Sequence, residues 1–213
     1  MTRWTIEAVC AGTARPFLGA ETSAIQKRPQ EGPVQIHAEG LAPDEQADRR
    51  GHGGPEMALH LYPLDHHDWW RGEIGDHPAL EEPGGFGSNL AVRGLTEEHV
   101  HIGDRFRCGT ALIEVSQPRQ PCWKIEHRFG HKGMVAAIIR SGRCGWYFRV
   151  IEPGEVSRGD SLERVSLGAQ DWSVARVFRA LVAGKATPQE RAALAALAPL
   201  SPKLRAKAAA WQK

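Results

Sequence analysis

Ala111 to Cys122 reads A-L-I-E-V-S-Q-P-R-Q-P-C, and its two halves ask for different backbones. Leu112, Ile113 and Val115 around Glu114 form a short β-branched run of the kind that fits a strand. Pro118 and Pro121 cannot donate a backbone N–H, so they forbid a helix and a central ladder alike. A strand should therefore stop near Ser116 and pass into a stiff turn that carries Arg119 and ends in a single thiol, Cys122. A thiol beside fixed cations is held partly as thiolate, the form that attacks or binds metals. Arg119 and Lys124 bring such charge close in sequence. The plainer alternative is a buried, inert cysteine after an ordinary loop.

Strand signals lie on both sides of this stretch. Residues 3–12 place Ile6, Ala8 and Cys10 on one face, and Val34 to Ala38 is a second short strand. In V-H-I-G-D-R-F-R-C, Val100, Ile102 and Phe106 alternate inward, with a tight corner between two strands at Ile102-Gly103-Asp104. The aromatic run Trp146 to Ile151 is the clearest strand in the chain, and Leu162 to Val165 supplies a last one. After Pro63, Leu64, His67 and Trp70 recur at helical spacing. This predicts Trp70 in the core and His66 and His67 on a solvated face, where adjacent helical residues point about 100° apart and do not share one ion. Met134 to Arg140 reads as a short buried helix. Between Ala42 and Pro55 the chain is crowded with charge and then glycine, which predicts a loop. Within it His52 sits among Gly51, Gly53 and Gly54, where backbone can approach a ligand closely.

From about residue 170 alanine replaces the β-branched residues. Ser173 can cap a helix bearing Val174, Val177, Phe178 and Leu181, with Gly184 as its stop. Thr187-Pro188-Gln189-Glu190 is a capping box with proline at the first helical position. Ser201-Pro202 repeats that signature before Leu204, Ala208 and Trp211. Three short helices bury little surface alone, so they should pack on the main body or on a partner.

The 213 residues carry 27 Lys and Arg against 25 Asp and Glu, a formal charge of +2. That balance argues against nucleic-acid polymers and membrane surfaces as partners. No apolar run approaches the roughly 20 residues that cross a bilayer, and the N-terminus lacks a secretory h-region. A cytoplasmic protein is expected. Cysteines 10, 108, 122 and 144 include no C-x-x-C pair, which speaks against a zinc site or a thioredoxin-like motif.

Five segments taken in order resemble the MOSC-domain family in its YiiM-like branch. They are D-E-Q-A-D-R-R-G-H-G-G-P-E-M-A-L-H-L-Y-P, F-G-S-N-L, G-L-T-E-E-H-V-H-I-G-D, S-Q-P-R-Q-P-C and G-W-Y-F-R-V-I-E-P-G-E-V. The resemblance spans roughly residues 20 to 165. Ser88 stands where the family pattern has Glu, and Pro43 where it has glycine. The resemblance implies a mainly β fold with α: a MOSC β-barrel core over residues 1–168, then a small three-helix C-terminal domain over 169–213. It also implies a molybdenum cofactor, with Cys122 as thiolate ligand to the metal, and reduction of small N-hydroxylated substrates such as hydroxylaminopurines and amidoximes. The family's loose association with pyridoxal phosphate finds no matching lysine here.

The residues suit that chemistry. A thiolate is a soft ligand that can complete a molybdenum sphere. The cofactor's phosphate needs cations and N–H donors, for which Arg49, Arg119, Ser23 and Asn89 are candidates. His52 can donate a proton to the leaving oxygen or hold the cofactor. The chain shows no flavin, haem or iron–sulfur motif, so electrons should come from a donor protein of the reductase or flavodoxin/ferredoxin type. The competing reading is a non-catalytic carrier of the cofactor, or of sulfur as a persulfide on Cys122.

Overall fold

The computed structural model describes residues 2–47 and 53–210. The first strand is divided into β1 (Arg3–Thr5) and β2 (Ala8–Ala11), followed by the short pieces β3 (Arg15–Pro16), β4 (Thr22–Ser23) and β5 (Arg28–Pro29). Next come β6 (Val34–His37), β7 (Gly40–Leu41), a 3-10 turn (Pro55–Met57) and β8 (Leu59–Pro63). Helices α1 (Asp65–Ile74) and α2 (Pro78–Glu81) precede β9 (Leu90–Val92), β10 (Arg105–Cys108) and β11 (Ala111–Pro118). Helices α3 (Lys124–Phe129) and α4 (Met134–Ser141) separate β11 from β12 (Trp146–Glu152), β13 (Gly154–Val156) and β14 (Ser161–Ser166). The chain ends in α5 (Val174–Val177), a π turn (Phe178–Val182), α6 (Pro188–Ala196) and α7 (Pro202–Ala210).

The main sheet runs β1-β14-β10-β11-β12-β8-β9-β2-β5, with a three-stranded sheet β13-β6-β7 and the pair β3-β4 beside it. The first strand meets both ends of the main sheet: Arg3–Thr5 pairs with β14, and Ala8–Ala11 pairs with β9 and β5. Between them Ile6 and Glu7 belong to neither strand, their amides donating to Asp160 beside β14 and to Ala91 of β9. The strand order begins at β1 and ends at β5 with no pairing between the two, and the expected closed barrel is corrected to a mixed β/α fold with unclosed sheets. Nor are helices confined to the tail: seven α-helices stand among the described residues.

Strand β11 extends two residues past the expected stop. Its register shifts between Val115 and Gln117, and Pro118 pairs with Trp146 of β12. Strand β10 accompanies β11 only as far as Glu114, so the far end of β11 has a neighbour on one side. A missing N–H on the free side leaves no partner unsatisfied. His101 makes only an isolated bridge to Ser173, so the turn before β10 joins no second strand there.

Trp70 of α1 is fully buried as its spacing requires. His66 and His67, however, are buried too, not solvated. His66 Nε2 pairs with Glu97 Oε2 at 2.8 Å, and His67 Nδ1 meets the Leu80 carbonyl at 2.7 Å. A single apolar cluster joins Leu59, Val115 and Phe148 of the sheet to Val174, Phe178, Leu194 and Leu204 of the tail. The tail's backbone is tied in as well, with Val174 N donating to Val100 O and Ser201 N to Ser116 O. Trp211 lies outside the described residues.

Candidate active site

A cleft opens where the ends of β4, β8, β11 and β12 converge with the turn before β9. It holds about 650 Å³ counted out to its open mouth, and Ser23, Lys27, His60, Asn89, Arg119 and Cys122 line it. Four of the six residues named for the site from sequence, Ser23, Asn89, Arg119 and Cys122, are thus brought together. Arg49 and His52 lie outside the described residues. The chain on either side of them is pinned, since Gly54 N donates to Gln46 Oε1 at 3.1 Å.

Cys122 ends the Pro-Arg turn and is half-buried, whereas Cys10, Cys108 and Cys144 are buried. Burial pushes the thiols of Cys10 and Cys108 up to about 12, and it raises Cys144 well above its usual value. The accessible sulfur is therefore the one in the cleft. The turn that carries it is held by Arg119 N donating to Gly145 O at 3.1 Å. Gly145 adopts φ +67°, and a Cβ there would sit 2.4 Å from the Leu61 carbonyl. Only glycine allows β8, β12 and the Arg119 turn to come this close.

The cleft floor is a buried charge cluster that sequence reading missed. Lys27 Nζ pairs with Asp44 Oδ2, and their side chains are 10% and 4% exposed. Burial pulls the Lys27 ammonium below its ordinary value, Arg119 adds to that, and Asp44 opposes both. Asn89 locks the cluster: Nδ2 donates to Asp44 Oδ2 at 2.9 Å, and Oδ1 accepts His60 N at 3.0 Å. Gly12 N supplies Asp44 Oδ1 at 2.8 Å. The K-R-P run at Lys27 reads as a surface basic patch because sequence does not show which lysine has a carboxylate 17 residues away.

His60 is the second residue missed. It sits in β8, 2% exposed, with Tyr147 of β12 packed on it at 5.1 Å between ring centroids. Nδ1 meets the Gly87 carbonyl at 3.2 Å, which places the proton on Nδ1 and leaves Nε2 with its lone pair. Burial, reinforced by the Arg119 charge, drives its pKa well below the usual value, so the ring is neutral. His60 Nε2 and Arg119 Nε are buried and make no hydrogen bond of good geometry. Such orphans are costly unless something outside the chain meets them. Ser23 is engaged locally, its Oγ accepting Ile25 N at 3.2 Å. Ser88 does not face the cleft; it is fully buried and donates to the Pro83 carbonyl at 3.0 Å.

Lys27, Arg119 and Lys124 outnumber Glu45 among the charged residues lining the cleft, although Asp44 offsets Lys27. Lys124 is anchored by Thr22 O at 3.0 Å and Glu21 Oε2 at 3.1 Å. Among the described residues no group of three or more His, Cys, Asp or Glu could hold a metal alone. What the residues offer is one accessible sulfur beside the guanidinium of Arg119 and the ammonium of Lys124. That donor set fits a metal brought in by an anionic, sulfur-bearing carrier.

A family model described as MOSC domain matches residues 48–163. The chain is 40% identical to protein YiiM of Escherichia coli over 158 residues, covering 74% of this chain and 70% of that one. It is 41% identical over 166 residues to a protein of Gibberella moniliformis named Reductase, covering 77% of this chain but 29% of that longer one. The crystal structure of YiiM from Geobacillus stearothermophilus superposes with a TM-score of 0.83 at 28% identity, covering 97% of this chain and 98% of that one. No helix among the described residues is long and apolar enough to cross a membrane.

Proposed function

The chain belongs to the MOSC-domain family, and from that premise we propose that it binds a molybdenum cofactor and reduces small N-hydroxylated compounds. The observation that carries this reading is Cys122 at the mouth of a cleft lined by Lys27, Arg119 and Lys124, with Arg119 Nε buried and unpaired among the described residues. The relative named Reductase supports the reaction class.

In this reading Cys122 supplies the thiolate to molybdenum, and Arg119 and Lys27 hold the cofactor's phosphate with Ser23 and Asn89 at the cleft wall. Bound there, the cofactor supplies two-electron redox chemistry. The overall reaction breaks the N–O bond, takes up two electrons and two protons, and releases water, leaving N–H where N–OH stood. His60 is neutral and held against the Gly87 carbonyl, where it shapes the cleft wall. His52 serves as proton donor or cofactor contact and Arg49 as a further phosphate contact. The electrons come from a separate donor protein.

The test is molybdenum content per chain after purification from a host that makes the cofactor, followed by turnover of an amidoxime with a chemical reductant. Near-stoichiometric metal and turnover are expected for the wild type, and both should be lost in Cys122→Ala. Full turnover by the variant sinks the assignment. Bound metal without turnover in the wild type is what a cofactor carrier would give.

A further inference from the structure

Cys122 lines a second cleft as well as the first. This one holds about 790 Å³ out to its open mouth and is lined by Gln117, Gln120, Trp123, Tyr147 and Lys203 around the same sulfur. The two differ in chemistry. The first has a buried Lys27–Asp44 pair at its floor and Arg119, Lys124 and Glu45 in its lining. The second has two carboxamides, an indole that is 44% exposed, a phenol and one ammonium, with no carboxylate among its lining residues.

Its polar groups await a partner. Gln117 lines the cleft with no hydrogen bond to its carboxamide among the described residues, and its amide atoms are not among the buried, unpaired ones. The side chains of Gln120, Tyr147 and Lys203 likewise have no hydrogen bond or ion pair among those residues. Lys203 is also held in place by its helix. Ser201 N donates to Ser116 O at 3.0 Å, one residue before Gln117, and Arg149 Nη2 donates to Pro199 O at 2.9 Å. Ser201 and Leu204 are fully buried on either side of Lys203. The C-terminal segment is thereby fastened to the strand that leads to Cys122.

We propose that this second cleft receives the substrate, a planar amide- or amidine-like molecule bearing an anionic group, and that Lys203 pairs with the anion. The inference rests on the reading of Cys122 as the metal's ligand. It adds a division of labour: cofactor in the first cleft beside Arg119 and Lys124, substrate between the carboxamides and the aromatic rings, and a specificity-determining residue supplied by the tail. Gln117 and Gln120 each present a donor and an acceptor to the planar group.

Two probes differing only in the anion test this: benzamidoxime and 4-carboxybenzamidoxime, each titrated by calorimetry into the holoprotein and then assayed for turnover. The wild type should prefer the carboxylated probe about two- to five-fold at low salt, the range expected of a solvent-exposed ion pair. The preference should shrink as salt is raised. Lys203→Ala should bring the ratio to one and Lys203→Glu should invert it. An unchanged preference in Lys203→Ala, or none in the wild type, overturns the assignment. Preferential binding without turnover of either probe keeps the cleft and removes the reductase reading. Turnover of both probes, indifferent to Lys203, does the reverse.

Discussion

His60 and His67 are neutral because the protein removes them from water, and this makes stability depend on pH. Burial is the first cause for both, and Arg119 adds to it at His60. The unfolded chain takes up a proton near the ordinary value of 6.5, where the folded chain does not. Their contribution is therefore complete above pH 6.5 and is lost as pH falls from there through their folded values. Each group can tilt stability by up to about 1.4 kcal/mol per pH unit within that window. Urea unfolding at pH 7.5, 6.5 and 5.5 should show the decline, and His60→Asn should remove one group's share of the slope. An unchanged slope in the variant would mean that His60 is already charged when folded. At this scale the thiol, Arg119 and Asn89 were legible because Pro118, Pro121 and the family pattern single them out. Lys27, Asp44 and His60 were not, because pairing across 17 residues and burial inside an alternating strand leave no mark on local sequence.

Elements with strong local punctuation form where the sequence places them. In α6 the Thr187 hydroxyl accepts Glu190 N, and the Glu190 carboxylate accepts Thr187 N, each at 3.1 Å. That amide bond, with Arg176 beside it, holds the Glu190 carboxyl below its usual range. Thr187→Ala should cost about 1 kcal/mol, which in a chain of this size lowers the Tm by about 2–4 °C. A differential scanning measurement decides it, and no shift would mean that α6 is held by packing alone. Weaker punctuation misled. Met134–Ser141 and Trp146–Glu152 were legible as helix and strand, but α3 was hidden among the charged residues after Cys122, where Ile125 and Phe129 are the one apolar pair at helical spacing. The strand stop at Ser116 failed because proline excludes only a central ladder, and β11 has lost one neighbour before it reaches Pro118.

Among the described residues one large apolar cluster takes in both the sheet and the last forty residues, with a small second one of Ala8, Cys10, Leu64 and Ala91. Heating the full chain should therefore give a single cooperative transition. Two resolved transitions would show that the body and tail, divided near residue 168, fold separately. The mixed β/α character was legible from strand-like and helical periods in their order. Closure was not, because it depends on whether the strands at the two ends of the order, β1 and β5, pair with each other, which no local pattern records. An unclosed sheet keeps two bare edges, and bare edges recruit other chains. Here both are blunted: β1 is three residues long and carries Arg3 outward, and β5 is the exposed dipeptide Arg28-Pro29. Charge and proline at a strand edge obstruct pairing with a neighbour, so fibril growth by strand addition finds no template at either end of this sheet.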